Sequence, residues 1–229
     1  MTSFRTQFHT ELEALETTLV EMAKLATSQI EKAMVSIANA DTQIAEEVIA
    51  GDGEIDRIYL EIERRWTELM ALQTPVATDL RRMTLMLQTN HSVERIGDQA
   101  VNIAKIARAT HGLPRSNTIL LHLQEMGDIV IPMLNVAIEA LVKRDLELAF
   151  RLPVMDDPVD RLDRNMHKAV VKCGPDPELL EWAVHMIIVS RALERVGDRA
   201  VDIGEQVAFL QTGEFQEFSD GTPIVFHGD

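Results

Sequence analysis

Apolar residues recur at three- and four-residue spacings through almost the whole chain, and that period predicts six long helices. The first covers about Ser3 to Ala38. Asp41 is placed to cap the second, which runs to about Leu72. In "QTPVATD", Thr74 is the expected cap of the third and Pro75 its first helical residue. That helix ends near "THGLP", where Gly112 can close it in the left-handed region and Pro114 forbids its continuation. The plan then repeats from about Ser116 to Val142, Asp145 to Cys173 and Asp176 to Thr212, with "GPDP" as the second break. From Gly213 to Asp229 the helical period is lost, and a surface extension is expected.

Two nearly identical stretches, "ERIGDQAVNI" from Glu94 and "ERVGDRAVDI" from Glu194, mark an internal repeat. Asp52 and Asp156, Asp56 and Asp160, and Arg57 and Arg161 all stand 104 residues apart, whereas Glu94 and Glu194 stand 100 apart. The reading is therefore a tandem duplication related by an internal pseudo-twofold: a three-helix bundle over residues 1–112, another over 116–212, and a tail over 213–229.

In the third helix Val93, Ile96, Ala100, Ile103 and Ala107 form the core stripe, and Glu94 and Asp98 point almost the opposite way, with Asn102 one turn on. Gly97 beside them leaves room for close approach of another group. In the second helix the stripe is Ile44, Val48, Ile55, Ile58, Ile62, Trp66 and Leu69, flanked by Asp52, Asp56 and Glu63. The corresponding flank in the other half is Asp156, Asp160, Asp163 and His167. Pro158 falls between its first two acids, where it is expected to end or kink the helix.

Composition narrows the fold class. With 46% apolar but only 4% aromatic residues, the chain suits helices and offers little to a sheet, so an all-α protein is expected. A net charge of −15 repels nucleic acid and anionic headgroups, and favours cations and basic patches on other proteins. Cys173 stands alone, which rules out an intrachain disulfide or a thiolate zinc site and fits a reducing cytoplasm. "MTSFRTQFHTELEALE" lacks the apolar core of a signal peptide, and "IVIPMLNVAI" is too short to span a bilayer. No direct membrane insertion is expected; membrane contact would run through a partner.

Like charges four residues apart destabilise a helix, so helix formation does not ask for these acid pairs. Carboxylates converging from two helices supply hard oxygen ligands, suited to Mg, Mn, Ca or oxidised iron. The alternative is a solvated acidic face beside Arg95 and Arg195. A ferritin-like enzyme or carrier would use Glu-x-x-His pairs aimed into a bundle core, and the chain has no such motif. A histidine phosphotransfer module could use His91, but the repeat places Arg191 at the equivalent position. Asp79, Arg81 and Arg82, near a helix start, form a weaker candidate phosphate site.

"TPVATDLRR", "ERIGDQAVNIAK" and "ERVGDRAVDI", with the opening "RTQFHTELEALETTLVEMA" and the segment "VIAGDGEID", resemble the PhoU regulators of bacterial phosphate uptake. The resemblance implies two three-helix bundles, often assembled as homodimers, some of whose members hold iron or zinc clusters. Carried over by position, the ligands would be Asp52, Asp56, Glu94 and Asp98, then Asp156, Asp160, Glu194 and Asp198, with Asn102 and Asp202 as additions. It implies a cytoplasmic protein without a catalytic reaction, standing between the ATPase subunit of a phosphate ABC transporter and a sensor histidine kinase. There it would act as a negative regulator of the phosphate-starvation response.

Overall fold

The structure is a computed structural model that describes residues 2–72, 75–219 and 222–225. Six helices account for nearly all of it: α1 (Thr2–Asn39), α2 (Thr42–Leu72), α3 (Thr78–Ala109), α4 (Asn117–Lys143), α5 (Leu146–Val171) and α6 (Pro177–Thr212). Within each half the three helices pack on one another, and the halves are joined where α3 lies against α6 and α1 against α4. Buried side chains from both halves form one continuous core, from Leu12, Leu19 and Ile30 through Met86 and Ile103 to Met126, Leu193 and Val207.

Local chemistry sets the turns, and the repeat sets them twice. Asp41 accepts hydrogen bonds from the N–H groups of Gln43 and Ile44, and Asp145 from those of Glu147 and Leu148. The residue before each cap, Ala40 and Arg144, has φ of 53° and 55°. Asp176 caps α6 through Glu178 and Leu179, with Pro177 as the first helical residue. Gly112 takes φ 86° after α3, as its position in "THGLP" predicts, and Gly213 takes φ 78° after α6.

Three expectations are corrected. α3 starts at Thr78, with Pro75 in the irregular connection before it; Thr74, the expected cap, lies outside the described residues. α5 runs unbroken through both Pro153 and Pro158. Leu152 and Val159, each fully buried, hold that helix against its neighbours, and this packing outweighs the two lost N–H donors. The tail, expected to be an extension, forms an antiparallel hairpin of β1 (Gln216–Ser219) and β2 (Thr222–Val225). Phe218 anchors it: the ring is buried against Phe150 at 5.2 Å, and its N–H donates to Glu205 Oε1 at 2.7 Å. Among the described residues no helix is long and apolar enough to cross a membrane.

Candidate functional site

The repeated acids come to lie in two strips, one between α2 and α3 and one between α5 and α6. The core stripe of α3 is buried as its period predicts. Glu94 and Asp98 nevertheless do not stand fully out in solvent; both are half-buried beside α2. Burial, then Asp98, raises the Glu94 carboxyl above the usual carboxylate range, against the pull of Arg95 and His91, with Asp56 adding to the rise. Asp52 is likewise raised by burial, then by Asp56 and Asp98, with Lys105 opposing. The four acids assigned to the first half therefore feel one another across two helices. Glu63, further along the same flank, accepts the Tyr59 hydroxyl at 2.9 Å.

The second strip is tighter. Asp156 is pushed up to about 7, first by burial and then by Asp198, Asp160, Glu194 and Asp157. Its Oδ1 is buried and, among the described residues, accepts no hydrogen bond. That oxygen lies where a side chain on Gly197 would begin. The duplicated glycine thus admits a carboxylate to the α6 backbone, whereas its twin Gly97 faces Ile55 Cδ1, 3.0 Å from where its own Cβ would lie. Glu194 is raised by burial and by Asp198, with Arg191 opposing; Asp198 is raised by burial and by Asp160, with Arg199 opposing. Asp160 also pairs with Arg164 at 3.3 Å.

Not every acid predicted for these strips belongs to them. Asp163 is buried, accepts the Ser190 hydroxyl at 2.8 Å and pairs with Arg191 at 2.7 Å, so its charge is already compensated. His167 is exposed at the far end of the flank. Asp202 pairs with Arg199 at 2.6 Å and lies near His91 of the other half; Asn102 is exposed, with a long 3.5 Å bond to Gln99. The candidate phosphate site dissolves, because Arg82 is held by Glu16 through two bonds of 2.9 and 3.0 Å and Arg81 lies against Gly213.

Lys105 and Arg199, and the pairing of Arg191, all of which temper these carboxylates, were missed by sequence reasoning. Arg191 and Arg199 stand three residues from Glu194 and Asp202, a spacing that is a usable signal for an ion pair. Lys105 acts across helices and gives no such signal.

As a donor set the strips fit a hard cation. They hold only oxygen ligands, burial and then neighbouring carboxylates raise Asp156 and Glu94, and buried Oδ1 of Asp156 and Oε2 of Glu94 accept no hydrogen bond among the described residues. They are not drawn together into a coordination sphere: among the described residues no three His, Cys, Asp or Glu side chains stand close enough to hold an ion.

The family model of the PhoU domain matches this chain twice, over residues 19–107 and 123–207. The chain belongs to the PhoU family. The phosphate-specific transport system accessory protein PhoU homologue of Caulobacter vibrioides is 32% identical over 205 residues, 89% of each chain. The second such homologue of Mycobacterium tuberculosis is 33% identical over 220 residues, 92% of this chain and 99% of that one. PhoU from Pseudomonas aeruginosa superposes with a TM-score of 0.86 at 28% identity, covering 90% of this chain and 99% of the other. The phosphate transport system regulatory protein PhoU from Streptococcus pneumoniae gives 0.84 at 25% identity. The two PhoU domain matches end near the ends of α3 and α6, so each contains one complete copy of the acid strip.

Proposed function

We propose that this protein is the accessory regulator of a phosphate-specific transport system. It acts by contact, joining the transporter's ATPase subunit to a sensor histidine kinase on the cytoplasmic side and holding the starvation response off when phosphate is plentiful. The observation that carries the reading is that the PhoU domain is matched in both halves of this chain, whose relatives over most of its length are named for that accessory role. The physics is compatible with contact rather than turnover: the acids lie in strips on the flanks of the bundles, and a net charge of −15 suits basic surfaces on partners.

Metal ions belong to this proposal. Asp156, Asp160, Glu194 and Asp198 would hold one set, and Asp52, Asp56, Glu94 and Asp98 the other, with iron or zinc as the ions the family resemblance suggests. These carboxylates, if they held a cation, would have their like charges offset and would link α5 to α6 and α2 to α3. The chain's own part is to place the carboxylates and to open a path to the backbone at Gly197.

A strain lacking the gene, grown in excess phosphate with a starvation-response reporter, is expected to be derepressed, and the wild-type gene to restore repression. The combined Glu194→Ala, Asp198→Ala variant is expected to fold, to lose metal by elemental analysis and to leave the reporter on. Repression unaltered by deletion removes the regulatory reading. A metal-free variant that still represses removes only the metal from it.

A further inference from the structure

The basic residues of this acidic chain are not scattered evenly. α3 and α6 run side by side in opposite directions: Arg81, near the start of α3, meets Gly213 just beyond the end of α6, and His91, ten residues on, meets the field of Asp202, eleven residues back. In that register the solvent-facing positions of the two helices make one seam. α3 contributes His91 and Arg95, both exposed; α6 contributes exposed Arg191 and Arg195 and half-exposed Arg199. The acid pairs stand a step further round each helix, turned toward α2 and α5, as the influence of Asp56 on Glu94 and of Asp160 on Asp198 requires. Arg95 and Arg195 therefore lie on the α3/α6 side of the acid pairs, while Arg191 reaches back to Asp163 of α5 and Asp202 lies in the seam beside Arg199 and His91.

These cations are only partly used. Arg95 touches Glu94 at 3.5 Å, Arg191 meets Asp163 and Glu194 at 2.7 and 3.4 Å, and Arg199 meets Asp202 at 2.6 Å, each leaving guanidinium donors over. Arg195 has no ion pair among the described residues. Beyond Arg191 on the same face of α6, Val184 and Ile188 stand 49% and 50% exposed, one turn apart. Val184, Ile188, Arg191 and Arg195 follow one another at helical spacing, a run about 16 Å long that begins as an apolar foothold and ends in basic residues.

We infer that the α3/α6 seam docks an acidic amphipathic helix of a partner protein, its carboxylates on Arg95 and Arg195 and its apolar residues on Val184 and Ile188. The acid strips on either side select this occupant. A flat anionic membrane or a nucleic-acid duplex would bring phosphates over the acid strips on both sides, whereas a single helix meets the arginines without crossing them. The seam takes a partner of the opposite charge to that drawn by the acid strips, and it needs no metal in them. One protein can thereby engage two partners of unlike charge on one face.

The test uses the full chain and a labelled synthetic peptide of about four turns, with Leu and Glu at helical spacing, followed by fluorescence anisotropy. Binding is expected at low salt, weakening about tenfold in 0.3 M salt, and absent for the same peptide with Lys in place of Glu. The Arg95→Glu, Arg195→Glu variant is expected to lose affinity at least tenfold with an unchanged melting curve, and Val184→Ser, Ile188→Ser to weaken binding without altering its salt dependence. No binding by the wild type, or equal binding by the charge-reversed variant, overturns the inference. So does wild-type binding to phosphatidylglycerol vesicles that the same reversal abolishes, since the seam would then be a membrane contact.

Discussion

Asp156 is the residue at which the two halves part company, and its protonation can be measured. Its folded-state carboxyl is pushed up to about 7, mainly by burial, from an ordinary value of 3.8. A carboxyl raised on folding gives its full contribution to stability below the unfolded value and loses it as the pH rises through the folded one. The metal-free protein is therefore expected to be more stable at pH 5 than at pH 8, by on the order of 2 kcal/mol once solvent screening is allowed for. Asp156→Asn should flatten that profile and melt higher than the wild type at pH 8; thermal melts in chelator at the two pH values check both statements. The acid pairs themselves were legible from their four-residue spacing, but Asp163 was grouped with them on the same ground. Periodicity gives a side chain's direction; it does not reveal that Ser190 and Arg191 of another helix wait there.

Among the elements, most helix bounds were read to within a residue or two because caps and breakers are local chemistry, as at Asp41 and Gly112, whereas the start of α3 was placed too early. What escaped depends on contacts at a distance. α5 keeps its course through Pro158 because burial on both sides holds it, and the tail folds back because Phe218 finds Phe150 and Glu205. The hairpin turn before each capping aspartate carries a cost that neither the pattern nor the composition showed, since Ala40 and Arg144 occupy the left-handed region that L side chains disfavour. Ala40→Gly is expected to stabilise the protein by about 1 kcal/mol, read as a higher denaturation midpoint at unchanged slope. Arg144→Gly would mix this gain with loss of the 3.3 Å contact to Glu16, so Ala40 is the cleaner probe.

For the whole molecule, the duplication was plain in the sequence and the way its halves join was not. α3 packs against α6 as well as against its own bundle, with Arg81 lying against Gly213, and it buries Ser92 and Gln99 outside its apolar stripe. The period of one helix says which residues are buried and does not name the helix of the other half that covers them. Residues 1–113 and 114–229 produced separately are each expected to self-associate or melt without cooperativity, and to recover a single cooperative transition when mixed in equal amounts. Light scattering and calorimetry read this directly, and a monomeric half with its own sharp transition would show that the junction is dispensable.

The unlike surroundings of Gly97 and Gly197 have a consequence for inheritance. A symmetric assembly of two identical subunits receives every mutation twice, so its sites must change in step. Once both copies sit on one chain, that bond between them is cut. Ile55 can fill one crevice while a carboxylate occupies the other, and selection can act on each without disturbing its twin.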